Sequence, residues 1–506
     1  MFVKINSCAN IGLDCSLVEV ESDVSHPQKP KFIIVGLPDA AIQEAKERVR
    51  FAIENSGFKF PRPKITVNLA PADLPKEGPS YDMAMAISIL KTSRQLIGDF
   101  DDCLFVGELA LNGETRHTNG ILPITIFAKE KGFKHLFIPK INEKEASLIS
   151  GLNIYPVENL RQLVNHLQND ILIEPATVQD PLSLFADQVF EFDMKHVQGQ
   201  EQAKRALEIA ASGAHNVLLS GPPGSGKTLL AKTMPSILPR MNESEILEVT
   251  KMYSVAGLLP KDFPIINQRP FRSPHHTSSG VALVGGGKMP KPGEISLAHR
   301  GILFLDEFAE FPRQVLENLR QPLEDGVISV SRAQATLTFP AQFSLIASQN
   351  PCPCGYASDP DKQCTCTSTQ ILKYQQKISG PLLDRIDLFV EVPRVNFDKL
   401  QQANDNEPSS SIRTRVEATK AIQQKRFQDS PVQTNSEMRP KDIKEFCNLD
   451  QASHDLLRSA VNQLHLSARS FHKILKISRT IADLDQKQNI EQAHVAEALQ
   501  FRQKSN

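Results

Sequence analysis

The spacing of hydrophobic and polar positions changes twice along the 506-residue chain, which predicts three domains. Residues 1–170 mix short apolar stretches with helical periodicity. Residues 185–395 alternate strands with helices, as in a largely parallel α/β sheet. Residues 412–506 show helical spacing almost throughout. Polar, turn-rich segments at 168–181 and 404–411 separate these regions and predict two linkers.

Individual elements follow from the same spacing. Apolar and polar residues alternate over 327–339, which predicts a β-hairpin centred on Arg332. Ile474, Ile477 and Ile481 are spaced to share one face of a C-terminal helix. Further strands are predicted at 31–36, 65–69, 135–138, 217–219, 302–305 and 343–350, and further helices at 40–56 and 82–91.

Composition and charge limit the classes of protein that the chain can represent. A hydrophobic fraction of 40% is typical of a globular protein, and a net charge of −1 confines any nucleic-acid contact to local basic groups. No apolar run approaches the roughly 20 residues that span a membrane, and the N-terminus lacks the organisation of an export signal. We therefore expect a cytoplasmic protein without a membrane partner, whose eight cysteines stay reduced.

The strongest chemical signal lies at residues 217–232. An apolar stretch precedes a perfect match to the phosphate-binding motif G-x-x-x-x-G-K-[ST], and a helical stretch follows it. Such a loop turns backbone N–H groups toward a nucleoside triphosphate, with Lys227 on the β- and γ-phosphates and Thr228 on Mg²⁺. The alternative is a glycine-rich turn before an ordinary helix. The predicted ATP-binding residues are Gly221, Pro222, Pro223, Gly224, Ser225, Gly226, Lys227 and Thr228.

Two further predicted strands end on polar residues. Asp306 and Glu307 follow the strand at 302–305, at the sheet edge where ligands bind in open α/β folds. Asp306 would help to hold Mg²⁺, and Glu307 would orient and deprotonate the attacking water. A solvated acidic turn gives the same pattern. Asn350 ends the next strand, where its amide could hydrogen-bond the γ-phosphate or the water.

These motifs, followed by Leu-Leu-Asp-Arg-Ile-Asp at 382–387, resemble the magnesium-chelatase and MCM branch of the AAA+ ATPases. The resemblance implies a ring, usually hexameric, with ATP held between neighbouring subunits. It makes Asn350 the first sensor residue and Arg385 the arginine finger that reaches the next subunit. It also makes Arg469 the second sensor, in a C-terminal helical lid. The alternatives are a structural salt bridge for Arg385 and a solvated helix arginine for Arg469.

Two segments between these motifs are candidates for substrate contact. Residues 271–293 are rich in glycine, proline and small polar residues, which favours a mobile loop, and the resemblance places such an insertion at the pore of the ring. The predicted DNA contacts are His275, His276 and Lys288 in this loop and Arg332 at the hairpin tip. The alternatives are a metal site at the two histidines and an ordinary hairpin with an exposed arginine.

Four cysteines lie close together in the sequence, directly after Asn350. Two Cys-x-Cys pairs could surround one tetrahedral Zn²⁺, although this spacing is tighter than the common Cys-x₂-Cys. A reduced, metal-free loop is the alternative. The candidate ligands are Cys352, Cys354, Cys364 and Cys366.

The N-terminal region contains a resemblance to a peptidase. Residues 61–139 resemble the proteolytic domain of Lon, an α+β fold of the ribosomal protein S5 domain 2 type, and Ser80 falls at the position of the catalytic serine. Leu122 occupies the position of the catalytic lysine, and Lys129 and Lys131 lie further along. A serine without a base is a poor nucleophile. We therefore expect a Lon-like domain without peptidase activity, in which Ser80 is a turn or helix-cap residue.

The whole arrangement resembles the family of competence protein ComM, also called YifB, nearly from end to end. The resemblance implies a hexameric, ATP-dependent DNA helicase that promotes branch migration while transforming DNA is integrated by recombination. Its partners would be single-stranded and branched DNA and further copies of itself. The alternatives are a chelatase-type remodelling subunit acting on a protein partner, and a Lon-like protease.

Overall fold

The computed structural model describes residues 2–25, 31–37, 39–74, 76, 78–179, 190–260, 264–287, 290–331, 336–359, 361–395 and 406–503. The chain forms two compact units. The first comprises Met1–Ala186 with Glu243–Asn267, and the second comprises Asp187–Asn242 with Gln268–Asn506.

The first unit is built on a seven-stranded mixed sheet. Its helices are Ala40–Asn55, Asp82–Thr92, Ile121–Glu130, Glu143–Ala146, Leu160–Leu167 and Glu243–Ala256. Because Asp82–Thr92 is apolar on nearly all sides, it is buried along almost its whole length. The strands and helices predicted between residues 31 and 138 are confirmed. Across the sheet the strands are Phe32–Val35, Lys64–Ala70, Asp14–Ser25, Val3–Ile11, Cys103–Phe105, His135–Pro139 and Asn153–Val157.

Residues 243–267 pack in the first unit, although the sequence analysis placed them in the nucleotide-binding region. The helix Glu243–Ala256 carries Ser254, whose hydroxyl donates to the buried carboxylate of Glu145. The same carboxylate accepts the backbone N–H of Leu122 at 2.8 Å. Burial raises the pKa of Glu145, and these hydrogen bonds oppose that shift. An apolar helix face does not show which of two cores it will enter, so the sequence pattern could not make this assignment.

The second unit contains the predicted parallel sheet. Each pair of neighbouring strands in it is parallel. The predicted hairpin is present as Val327–Ser331 paired with Thr336–Pro340, whereas Arg332 and Lys288 lie outside the described residues. The order across the sheet is Phe271–Arg272, Ile302–Leu305, Ser344–Gln349, Val217–Ser220 and Leu388–Glu391. The helices before residue 390 include Glu201–Gly213, Lys227–Ile237, Gly280–Val284, Glu294–Leu297, Arg313–Glu317, Arg320–Asp325, Ser368–Gln375 and Gly380–Leu383.

The C-terminal part of the chain is helical, as its spacing predicts. The apolar face of Ile474, Ile477 and Ile481 is buried in one hydrophobic core with Val217 and Leu388 of the parallel sheet. The predicted lid therefore belongs to the same compact unit as the sheet. Among the described helices, none combines the length and the apolar character that a membrane span requires. The helices are Ser409–Arg426, Pro440–Phe446, Gln451–Leu464, Ala468–Leu484 and Gln492–Gln500.

A buried ionic cluster joins these C-terminal helices. Asp483 is 1% exposed and accepts hydrogen bonds from Arg426 at 2.6 Å, from Arg479 at 3.1 Å and from the Asn435 amide at 2.9 Å. We expect Asp483→Ala to lower the free energy of unfolding by about 3–5 kcal/mol, because it leaves buried guanidinium groups without their counter-charge. Denaturant titration followed by circular dichroism measures the loss. Asp455→Ala, on an exposed face of a neighbouring helix, is the control, and an equal loss there would contradict the argument.

Candidate nucleotide site

The phosphate-binding motif forms a loop between the strand Val217–Ser220 and the helix Lys227–Ile237. Gly221 lies against the neighbouring chain so closely that a Cβ there would sit 2.1 Å from the Val392 carbonyl oxygen. Gly224 and Gly226 have φ values of 76° and 91°, a left-handed region that favours glycine. A Cβ at either of these two positions would meet only open space. The loop thus offers an uncovered backbone at a helix N-terminus, which fits a triphosphate.

Lys227 is held inside this loop. Its Nζ donates to the carbonyl oxygens of Gly221 and Pro222, both at 2.8 Å, and lies 3.4 Å from Oδ1 of Asn350. Burial lowers the pKa of Lys227, and the nearby charge of Asp306 opposes that shift. The structure therefore brings together the lysine of the loop and the polar end of the strand Ser344–Gln349, as the sequence predicted for two motifs 123 residues apart.

Asp306 is the centre of a second group of contacts. Its Oδ2 accepts a hydrogen bond from the Thr228 hydroxyl at 2.9 Å, and its Oδ1 accepts one from the Ser348 hydroxyl. Adjacent hydroxyl and carboxylate oxygens are the ligand type that Mg²⁺ prefers, so the donor set fits the expected metal. The sequence analysis missed Ser348. Its position near the end of a strand beside the Asp-Glu strand was the available signal.

Glu307 adopts a left-handed backbone conformation with a φ of 53°, which is uncommon for a residue with a side chain. Its Oε2 lies 3.3 Å from Nδ1 of His276, and its side chain is about half exposed. His275 is exposed, with its Nδ1 2.8 Å from the Thr277 hydroxyl. The sequence analysis assigned both histidines to DNA contact. In the structure, His276 contacts the acidic side chain expected to act on water.

We expect His276→Ala to lower kcat for ATP hydrolysis by about two- to tenfold with little change in KM, since one polar contact contributes about 0.5–1.5 kcal/mol. The substitution removes a contact that would orient Glu307, while the residues around the phosphates stay unchanged. Steady-state ATPase kinetics would measure both constants. His275→Ala is the matched control, because this neighbour contacts Thr277 instead. A pure KM effect in His276→Ala, or equal effects in both variants, would contradict this role.

Arg385 and Arg469, the predicted arginine finger and second sensor, lie in the second unit. Arg385 forms an ion pair with Glu324 and donates from Nη1 to the Pro381 carbonyl oxygen at 2.7 Å, and only 8% of its side chain is exposed. Its hydrogen bond lowers the pKa of Glu324. Arg469 is exposed in the first turn of the helix Ala468–Leu484. Within one chain, Arg385 thus has the salt-bridge contact named as its alternative.

Polar residues that the sequence analysis missed connect the Arg385 segment to the sheet and the lid. The Asn216 side chain donates to the Arg385 carbonyl oxygen at 2.9 Å and accepts the Leu345 N–H at 2.8 Å. Lys473, one turn after Arg469, donates to the Ile386 carbonyl oxygen at 2.7 Å. The lid helix, which carries Arg469, is therefore hydrogen-bonded to the segment that carries Arg385.

The four clustered cysteines converge in space. Their sulfur atoms all lie within 4.8 Å of one another. The Sγ of Cys352 is 3.4 Å from that of Cys354 and 3.7 Å from that of Cys364, and Cys354 and Cys364 are 3.5 Å apart. A tetrahedral ion with Zn–S bonds of about 2.3 Å places neighbouring sulfurs about 3.8 Å apart. The spacing of these three sulfurs fits one ion, and the sulfur of Cys366 completes the group of four.

Fold and site together define a phosphate-loop nucleotide-binding protein of the AAA+ class. Residues 193–400 match the family described as magnesium chelatase, subunit ChlI. Residues 20–142 match subunit ChlI of Mg-chelatase, and residues 406–502 match the magnesium chelatase, subunit ChlI C-terminal family.

Two relatives match along nearly the whole chain. Competence protein ComM of Haemophilus influenzae is 44% identical over 504 residues, which cover 98% of this chain and 97% of ComM. YifB of Escherichia coli is 40% identical over 98% of this chain and 96% of its own length. The chain belongs to the ComM and YifB family of magnesium-chelatase-like AAA+ proteins, and this membership implies ATPase activity.

A shorter similarity concerns Lon. Lon protease 2 of Bacillus subtilis is 29% identical over 185 residues, or 33% of this chain. Leu122, at the position of the Lon lysine, is fully buried in the helix Ile121–Glu130, whereas Lys129 is exposed. Ser80 lies in the turn before Asp82–Thr92, whose N-cap is Tyr81, so Ser80 is a turn residue and does not cap the helix.

Proposed function

We propose that this protein is an ATP-driven DNA motor that promotes branch migration while transforming DNA is integrated by homologous recombination. The observation that carries the proposal is the 44% identity to a competence protein over nearly the full length of both chains. The assembled nucleotide site supports the motor part, since Lys227, Thr228, Asp306 and Asn350 contact one another in two linked groups. The motor would work in the cytoplasm.

The proposed hydrolytic roles follow from these contacts. Lys227 binds the β- and γ-phosphates, while the oxygens of Thr228 and Asp306 hold Mg²⁺. When bound, that ion would neutralise charge that develops on the phosphates. Glu307 accepts the proton of the attacking water, and Asn350 orients that water or the γ-phosphate.

The motor is proposed to act as a ring, with six copies as the expected number. Arg385 would leave Glu324 and reach the ATP of the neighbouring subunit, and Arg469 would approach the nucleotide from the lid. The Glu324 side chain is 58% exposed, so water can solvate its carboxylate once Arg385 has left. DNA contacts are proposed for His275, His276, Lys288 and Arg332. His276 also contacts Glu307.

The proposal is tested with purified protein, ATP and a labelled three-strand DNA junction. We expect the wild-type protein to displace a strand and DNA to stimulate ATP turnover, whereas Lys227→Ala does neither. Turnover that ignores DNA, without strand displacement, would refute the motor.

A second candidate is a chelatase-type remodelling subunit that acts on a protein partner. It is favoured by the three segments that match magnesium-chelatase families. This candidate predicts ATP turnover that DNA does not change and that a protein client stimulates. The junction assay therefore separates the two proposals.

We also propose that Cys352, Cys354, Cys364 and Cys366 bind one Zn²⁺. Four thiolates in a tetrahedral arrangement are the usual ligand set of a structural zinc site, and the sulfur separations fit a single ion. Elemental analysis should find about one zinc per chain. A metal-free protein with four titratable thiols would contradict the proposal.

A further inference from the structure

The cysteine cluster is directly connected to the nucleotide site. Cys352 follows Asn350 by two residues, and Oδ1 of Asn350 lies 3.4 Å from Nζ of Lys227. Any displacement of Cys352 is therefore transmitted through a very short backbone segment to the amide beside the phosphate-binding lysine.

A second connection is made by Gly355, which follows the ligand Cys354. Gly355 has a φ of 85°, and a Cβ there would lie 2.6 Å from Cδ of Pro223 and 2.7 Å from its Cγ. The glycine backbone thus packs on the proline ring of the phosphate loop with no space for a side chain. A side chain at position 355 would displace Pro223, so the cysteine loop packs directly on the phosphate loop.

A third connection fixes the outer part of the cysteine loop. The buried Asp359 carboxylate lies 3.0 Å from Nε of Arg394, and the Arg394 guanidinium lies 5.6 Å from the ring centre of Tyr356. Arg394 lies two residues after Val392. The carbonyl oxygen of Val392 is in contact with Gly221 at the start of the phosphate loop. The loop between the two cysteine pairs is therefore linked, through Pro223 and through Arg394, to the first residues of the phosphate loop.

We infer that the metal held by the four cysteines positions the phosphate loop for ATP. The ion closes the cysteine loop, the closed loop presses Gly355 on Pro223 and holds Asn350 at Lys227, and ATP affinity depends on that support. A structural metal supplies folding free energy to the segment that binds it. Without the ion, the cysteine loop is therefore less ordered. The inference rests on the zinc site and the nucleotide site proposed above, and it is independent of any action on DNA.

Two variants distinguish the loss of the metal from the loss of the contact between Gly355 and Pro223. The double variant Cys364→Ser with Cys366→Ser removes two ligands and should abolish metal binding. Gly355→Ala keeps all four ligands and should retain the metal, while its Cβ displaces Pro223. We expect both to raise the dissociation constant for ATP about tenfold, which corresponds to the loss of roughly one hydrogen bond. Cys15→Ser, in the first unit, is the control.

The measurements are zinc and iron content by elemental analysis, binding of a fluorescent ATP analogue, ATPase kinetics, and circular dichroism to show that each variant is folded. The expected result is weak ATP binding in the metal-free double variant and in metal-loaded Gly355→Ala, with normal binding in Cys15→Ser. Wild-type ATP affinity in a folded, metal-free double variant would overturn the inference, as would a metal-free wild-type protein. Unchanged ATP affinity in metal-loaded Gly355→Ala would overturn the role of the Gly355–Pro223 contact in ATP binding. None of these measurements uses strand displacement, so a failure of this inference can be distinguished from a failure of the proposed action on DNA.

Discussion

Lys227→Ala should reduce ATP turnover by at least about 10²–10³-fold, the usual cost of removing one preorganised donor from a site of developing charge. Nζ of Lys227 lies inside the phosphate loop, where it donates to two loop carbonyl oxygens and to the amide oxygen of Asn350. The variant should also bind ATP more weakly, because the lysine contacts the ground state as well. Steady-state turnover and binding of a fluorescent ATP analogue measure the two effects.

Lys232 provides the matched control for this experiment. It lies on the same helix, but its side chain is exposed, with Nζ 5.1 Å from the ring centre of Phe192. Lys232→Ala should therefore retain wild-type turnover. Residual activity of Lys227→Ala within tenfold of wild type would rule out the phosphate-binding role of this lysine.

Glu307→Gln should have the second large effect, a fall in kcat of about 10²–10⁴-fold, which is the usual contribution of a positioned general base. The amide keeps the shape of the side chain and its contact with His276 but accepts no proton. ATP affinity should stay close to wild type, because Asp306, Thr228 and Lys227 are unchanged. Single-turnover hydrolysis with a parallel binding assay shows the separation of kcat from affinity.

Glu310→Gln tests whether the effect is specific. Glu310 lies one helical turn beyond Glu307, is exposed and pairs with Lys377 at 3.0 Å. Its loss should leave kcat within about twofold of wild type, because an exposed ion pair contributes little. Normal turnover in Glu307→Gln would assign the base to another group.

Local patterns were sufficient for many of the elements and for the central chemistry. The motif at Gly221–Thr228 specifies its own loop, because glycines, lysine and hydroxyl act within eight consecutive residues. Helical spacing predicted the buried face of Ile474, Ile477 and Ile481, which the structure confirms. Alternation predicted the hairpin, whose two strands are confirmed, while its tip at Arg332 lies outside the described residues.

Contacts between distant segments were beyond the reach of these patterns. His276 was predicted to contact DNA, and its position 3.3 Å from Glu307 could not be read from the sequence. Asn216 and Lys473 were missed because a single polar residue before a strand or on a helix carries no spacing signal. Ser348 was missed because its place near a strand end becomes informative only once the strand order is known. Such contacts depend on how the strands are ordered in the sheet.

The amino-acid sequence alone was enough to predict an ATP site with its lysine, its acidic pair and its neighbouring cysteines, because each motif is a short run of residues whose chemistry is local. Tertiary structure was needed to show that residues 243–267 pack with the first unit, that Arg385 pairs with Glu324 within one chain, and that Gly355 packs on Pro223. These outcomes depend on which buried surfaces meet and how closely two backbones approach, and the free energy of that packing is shared by residues far apart in the chain.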